Sequence, residues 1–380
     1  MKRRLFFRKM GAACISLACS DRLFGSVGFI QDSAEEIYAS SYTTDAMCFS
    51  GAPPQTYVVY FDEGKVEALR TSGITALGLC MTVGKGSNPG DCSYTRVKNV
   101  IEEWDDFNEK HTDVFLKVTD LKSLQEAKRL GKVGFIYNFQ GISPFGWDLD
   151  RLQTFIQMGV RQISLSHDRR NQAVDSCYEK TNAGLSAYGY QVVKALNDQR
   201  VIMDLSHVGD RSGLDAILAA KAPMIFSHSG CYSLCPHPRN VSDRNIRMMA
   251  DRGGVFCVYN QSAWLTRDPV ISMDHYLAHV EHVIKIGGED HVAIGMDGDA
   301  ADMTAVRPDE VVRHQRFFDR RLKEFPQLTW KVKHMRVPEL SHPKRILHIV
   351  QALKKRGYKT RIIEKIIGGN YVRVFKEVVG

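Results

Sequence analysis

Apolar runs of strand length alternate with helix-length amphipathic segments along most of this chain. Tyr42 to Phe49 and Ile74 to Val83 are the first two strand candidates. Ser93 to His111 follows as a helix, because Val97, Val100, Ile101, Trp104 and Phe107 fall on one face. The rhythm continues through Val114 to Val118, Ser123 to Leu130, Val133 to Phe139, Leu149 to Met158 and Val160 to Ser166. After a polar loop from Asp168 to Gly184 come helix Tyr188 to Asn197, strand Val201 to Leu205, helix Asp210 to Ala220 and strand Pro223 to Phe226. Helix Asp243 to Asp251, strand Gly254 to Tyr259, helix Met273 to Ile286 and strand His291 to Met296 complete the series. Strand and helix alternating in this way predict a parallel α/β fold, with roughly eight strands to close a (β/α)8 TIM-type barrel. The chain ends in amphipathic helices parted by Gly368-Gly369.

Three stretches break the rhythm. Gly84 to Gly90 is rich in glycine, but its spacing is that of neither phosphate-binding glycine motif, so it reads as a turn-rich loop. Ala301 to His342 is basic and irregular, an excursion from the barrel or a lid over its strand ends. The N-terminus, MKRRLFFRKMGAACISLACS, combines a basic segment with an uncharged one and has the paired arginines of a twin-arginine export signal. This divides the chain into an export signal and tether over 1–41 and a barrel domain over 42–380. Export to the periplasm or cell envelope is the expected address, with Cys19 a weak candidate for lipid anchoring. No later stretch is apolar enough to span a bilayer.

Composition adds exclusions. At 380 residues, 44% hydrophobic and 25% charged, the chain is ordinary for a globular protein. Its net charge of +8 is diluted and lacks the basic-aromatic clustering of a nucleic-acid surface. The cysteines form no paired C-x-x-C motif, which argues against a structural zinc site. In an oxidising compartment Cys92 and Cys177 are the candidates for a disulfide, both lying in loop-like sequence. Helix Met273 to Ile286 carries His275, His279 and His282 opposite its apolar face, which reads as a solvated polar face rather than a metal site.

Candidate chemistry collects at strand ends. Val201 to Leu205 and Pro223 to Phe226 each run into Ser-His, placing His207 and His228 at the carboxyl ends of consecutive parallel strands, where α/β folds build their sites. Repetition of a strand-end histidine one unit later is a metal-ligand arrangement. His167, Gln140 and Asp297 end other strands on the same rim. Two histidines, a carboxylate and an open position form the catalytic zinc pattern, suited to activating water and polarising a carbonyl.

The segments VIMDLSHVGD, PMIFSHSGCYSLCPHPRN, HVAIGMDGD and IIGGNYVRVFKEV resemble the renal, or membrane, dipeptidase family of zinc metallopeptidases, in order and register from about Thr44 to Val379. The resemblance implies an amidohydrolase-type barrel, two zinc ions and cleavage of dipeptides. It further implies that His207 and His228 ligate the second metal, Asp297 the first, that His167 contacts the scissile group, and that Arg239 holds the substrate carboxylate. The family's Asp-x-His-x-Asp is here Asp45-Ala46-Met47-Cys48-Phe49, so Met47 and Phe49 replace two ligands of the first metal. Gln140 stands where the family has the glutamate shared by both ions. A thioether, a phenyl ring and a neutral amide all weaken one position. The expectation is a single zinc held through His207 and His228 with help from Asp297. On that expectation Asp297 is the general base and His167 steadies the oxyanion. The substrate expected is a small peptide or peptide-like amide, with a second copy of the chain as the other candidate partner. The alternative is a barrel that has lost hydrolysis and binds a peptide or matures a specialised metabolite.

Overall fold

The computed structural model describes residues 32–49, 62–82, 92–268, 270–301, 319 and 336–380. Its core is a sheet whose paired strands are all parallel. The strands are β1 (Thr44–Phe49), β2 (Ala76–Cys80), β3 (Phe115–Lys117), β4 (Val133–Gln140), β5 (Val160–Ser164), β6 (Ile202–Asp204), β7 (Ile225–Ser229), β8 (Val255–Val258), β9 (Val292–Ile294) and β10 (Gly298–Asp299). Pairing runs β10-β1-β2-β4-β5-β6-β7-β8-β9, with β3 beside the start of β4. Because β9 and β10 are two parts of one short run of chain, the run bonds β8 at one end and β1 at the other, and the sheet closes on itself. Gly295, between these parts, has no room for a side chain: a Cβ there would lie 1.7 Å from the Ser227 carbonyl oxygen.

The helices between strands are α2 (Glu63–Arg70), α3 (Tyr94–Lys110), α4 (Leu121–Leu130), α5 (Asp150–Gln157), α6 (Ala187–Asp198), α7 (Asp210–Ala219), α8 (Asp243–Asp251), the short α9 (Ser262–Leu265) and α10 (Met273–Gly287). Side-chain oxygens of Asp62, Ser93, Asp120, Ser186 and Ser242 cap α2, α3, α4, α6 and α8, each accepting from a backbone N–H of the first turn. This local chemistry is why the helical starts are legible in the sequence. The apolar faces of the helices bury against the outside of the sheet, where Trp104, Phe135, Leu196 and Ile246 lie in one continuous core.

A second core fills the barrel's amino-terminal end. Ala46, Ala76, Ile136, Ile202, Ile225 and Val255 point inward there and meet Tyr371, Val374, Phe375 and Val378 of the last helix, α13 (Asn370–Val378). The final helix thus plugs the mouth opposite the Ser-His strand ends. A π-helical turn, Lys365–Gly369, joins α12 (Thr360–Glu364) to α13 around the expected Gly368-Gly369 break. One buried ion pair locks the C-terminal helices to the first strand: Arg345, at the start of α11 (Arg345–Lys355), donates through Nε and Nη2 to Asp45 Oδ2 at 3.0 and 2.9 Å.

Three expectations are corrected. The segment before Ser41 does not continue as a tether: Ala34–Ser40 forms α1, closed by a Ser33/Glu36 capping box, and buries Ile37. Cys177 is a free thiol, so the expected disulfide between Cys92 and Cys177 does not form. Cys92 Sγ lies against the Thr82 carbonyl oxygen, whereas the Cys177 backbone N–H donates to the His207 carbonyl, so the loops carrying them serve different strand ends. On α10 the histidine face is not solvated. His279 is 1% exposed, donating to the Leu265 carbonyl from Nε2 and accepting from the Cys231 N–H at Nδ1, each at 2.9 Å. His275 and His282 bond Asp268 and Asp243. The loop after β7 and helix α9 fold over this face, a cover that helical periodicity cannot reveal. The leader with Cys19, the Gly84 to Gly90 loop and most of the Ala301 to His342 excursion lie outside the described residues.

Candidate active site

Strands β5 to β9 deliver the chemistry to the carboxyl-terminal rim. His207 follows β6, His228 lies within β7, His167 follows β5 and Asp297 follows β9. His207 and Asp297 have φ of 68° and 54°. Left-handed backbone in non-glycine residues is costly and tends to persist at functional positions. Here it is held by bonds from neighbouring elements. The His207 carbonyl accepts from the Cys177 N–H at 2.7 Å, and the Asp297 N–H donates to the Met47 carbonyl at 3.0 Å.

The side chains converge. His207 Nε2 and His228 Nε2 lie 2.9 Å apart, and Asp297 Oδ1 lies 3.9 Å from His228 Nε2. The His167 ring packs on that of His207 with centroids 4.3 Å apart. Both His207 and His228 are buried, and burial, reinforced by the positive charge of Arg239, holds them well below the usual imidazole range. They are neutral at physiological pH. Asp297 is pushed up to about 6, chiefly by burial, although Arg239, Arg336 and the Gln261 amide pull the other way.

Arg239 is buried beside this cluster. Its Nη2 donates to the His228 carbonyl at 2.7 Å and its Nη1 to Ser229 Oγ at 3.1 Å, while its guanidinium lies over the rings of Tyr259 and Trp264. Nε has no hydrogen-bond partner among the described residues. A buried, rigidly held guanidinium with a donor to spare is suited to a carboxylate.

The substituted positions meet one another. Gln140 Nε2 lies 3.2 Å from Met47 Sδ, so a thioether and an amide face each other at the ends of β4 and β1. Phe49 is half-buried on the rung that pairs with Asp299. Neither Met47 nor Phe49 supplies a hard donor. Four residues that sequence reasoning did not single out complete the surroundings. Asp168 bonds His207, Ser227 bonds His228, Asp204 accepts from Ser227, and the Gln261 amide holds the Asp297 carboxylate at 3.1 Å. Asp168 and Asp204 were visible next to the histidine motifs, in LSHD and MDLSH, but their cross-strand partners were not.

These donors fit a divalent cation. Two zinc-bound nitrogens about 2.0–2.1 Å from the metal are separated by about 3.3 Å in tetrahedral geometry, close to the spacing of the two Nε2 atoms. A second grouping exists on the opposite side of the same ring, where His167, Asp168 and His207 offer ligand atoms all within 4.8 Å of one another.

Residues 66–324 match the family model for membrane dipeptidase, peptidase family M19. The chain is 30% identical over 254 residues to dipeptidase tcpJ of Claviceps purpurea, an alignment covering 66% of this chain and 52% of that protein. The chain thus spans about half the length of that relative. Among solved structures, an amidohydrolase from Pseudomonas aeruginosa superposes with a TM-score of 0.77 at 26% identity, covering 91% of this chain and 99% of that one. A metallopeptidase from Rhodobacter sphaeroides, bound to a phosphinate mimic of L-Ala-D-Ala, shares the fold at TM-score 0.68 and 16% identity, covering 89% and 99%.

Proposed function

The chain belongs to the membrane dipeptidase family, and we propose that it is a metal-dependent hydrolase of a dipeptide or peptide-like amide working with one zinc ion instead of two. The facing Nε2 atoms of His207 and His228, 2.9 Å apart, with the Asp297 carboxylate 3.9 Å from His228 Nε2, carry this reading. A zinc ion bound there supplies an activated water and a polarised carbonyl. Asp297, with its raised affinity for protons, takes the proton from the attacking water. His167, one-third exposed at the rim, steadies the developing oxyanion. Arg239 holds the substrate's terminal carboxylate, with Nε as the donor that has no partner among the described residues. Export by the twin-arginine route, which carries folded proteins, suits a chain that acquires its metal before crossing.

A second reading rests on the Met47–Gln140 contact, which places a thioether and an amide where the family holds its first ion. On this reading the barrel binds a peptide, or matures a specialised metabolite, without hydrolysing an amide. Metal counting on the purified protein, paired with a zinc-supplemented dipeptide panel, separates the two. One zinc per chain with hydrolysis is the expected result; two tightly bound ions would contradict the single-ion site. No hydrolysis by the wild type, with activity gained by combining Met47→His, Phe49→Asp and Gln140→Glu, would favour the binding role.

A further inference from the structure

Each ring of the central histidine pair has its Nδ1 on an oxygen that accepts. His207 Nδ1 lies 3.1 Å from Asp168 Oδ1. An ionised carboxylate can only accept, so with Asp168 ionised the hydrogen in this bond belongs to the imidazole. The other oxygen of the same carboxylate, Oδ2, lies 3.4 Å from His167 Nδ1. His228 Nδ1 lies 2.6 Å from Ser227 Oγ. A hydroxyl can donate or accept, but this one donates to Asp204 Oδ2. Asp204 Oδ1 in turn accepts the backbone N–H groups of Ser206 and Ser227, each at 2.9 Å. With its only proton directed to Asp204, Ser227 Oγ accepts from His228.

Both neutral rings therefore carry hydrogen on Nδ1 and a lone pair on Nε2, and the two lone pairs face each other across 2.9 Å. Two acceptors at that distance repel unless a cation lies between them. We propose that Asp168 and Asp204, the latter through Ser227, are positioning residues that fix the tautomers of His207 and His228 so that both Nε2 lone pairs are presented to one metal ion. This rests on the single-ion reading above and extends it to two carboxylates outside the ligand set. The logic is that of the carboxylate–histidine–zinc arrangement, in which an outer carboxylate fixes ring orientation and raises ligand basicity.

The test uses the full chain, stripped of metal and titrated with zinc against a chromophoric chelator. Asp168→Asn offers His207 an amide that can donate as readily as accept, and Ser227→Ala removes the link to Asp204 while leaving Asp204 its two backbone donors. Each is expected to weaken zinc binding by about 10- to 100-fold, with melting of the metal-free proteins near that of the wild type. If the buried asparagine prevents folding, Ser227→Ala carries the measurement alone. Long-range 15N–1H spectra of the wild type read the tautomers directly, with Nδ1–H expected on both rings and Nε2 bound to zinc. Zinc bound through Nδ1 of His207, on the His167 and Asp168 side, would overturn the proposal while leaving single-ion chemistry intact. Affinities within twofold of wild type in both variants would overturn it as well. If the wild type takes up no zinc but both rings carry Nδ1–H in the metal-free protein, the metal reading fails and the tautomer assignment stands.

Discussion

Acid should loosen this protein through His279, a histidine remote from the hydrolytic chemistry. Burial pushes it down to about 4, and the neighbouring His282 and His275 add to the effect. The Leu265 carbonyl pulls the other way, but the bond accepted from Cys231 resists protonation. Nε2 already donates to the Leu265 carbonyl, and a proton on Nδ1 would be forced against the Cys231 N–H. Once unfolded, the imidazole titrates near 6.5. Between those values the unfolded chain holds the extra proton, so stability is fully present above about pH 6.5 and is lost as pH falls towards 4. A gap of about 2.5 units corresponds to roughly 3 kcal/mol at full protonation, of which about 2 kcal/mol is lost by pH 5. His279→Asn retains an acceptor for Cys231 and cannot titrate. Urea unfolding of both proteins at pH 7 and pH 5 should show the stability gap between wild type and variant shrinking by about 2 kcal/mol in acid. A gap that is unchanged, or that widens at pH 5, would refute the argument. The consequence reaches the site, because His279 ties the loop leading to Arg239 to the helix that carries Trp264.

Asp45→Ala should cost about 3–5 kcal/mol in denaturant unfolding, because it breaks the fully buried Arg345–Asp45 ion pair by removing one partner. Arg239→Lys should raise KM about tenfold or more for dipeptides with a free carboxyl group, through loss of a charged hydrogen bond, while C-terminally amidated substrates change little. Equal losses for the two substrate types would remove Arg239 from carboxylate recognition.

The alternation of strand and helix was legible because it is local: side-chain oxygens such as Ser93 Oγ and Asp120 Oδ1 cap helices within their own turn, and each strand is a short apolar run. The same locality made His207 and His228 conspicuous, since a strand-end histidine repeated one β/α unit later must return to the same rim. By itself, then, the sequence determined the parallel β/α architecture, the rim that carries the histidines and Asp297, and the uncharged side chains at Met47, Phe49 and Gln140. Tertiary structure decided what each side chain touches. His279 lies on the polar side of its helix by period, yet the loop after β7 covers it, because burial of one face depends on chain remote in sequence. Asp168 and Asp204 adjoin the motifs in the chain, but their partners lie across strand boundaries, and the closure of the sheet through β9 and β10 brings Asp297 to the histidines. Periodicity reports which face of an element is apolar; only packing reports which lone pair meets which proton.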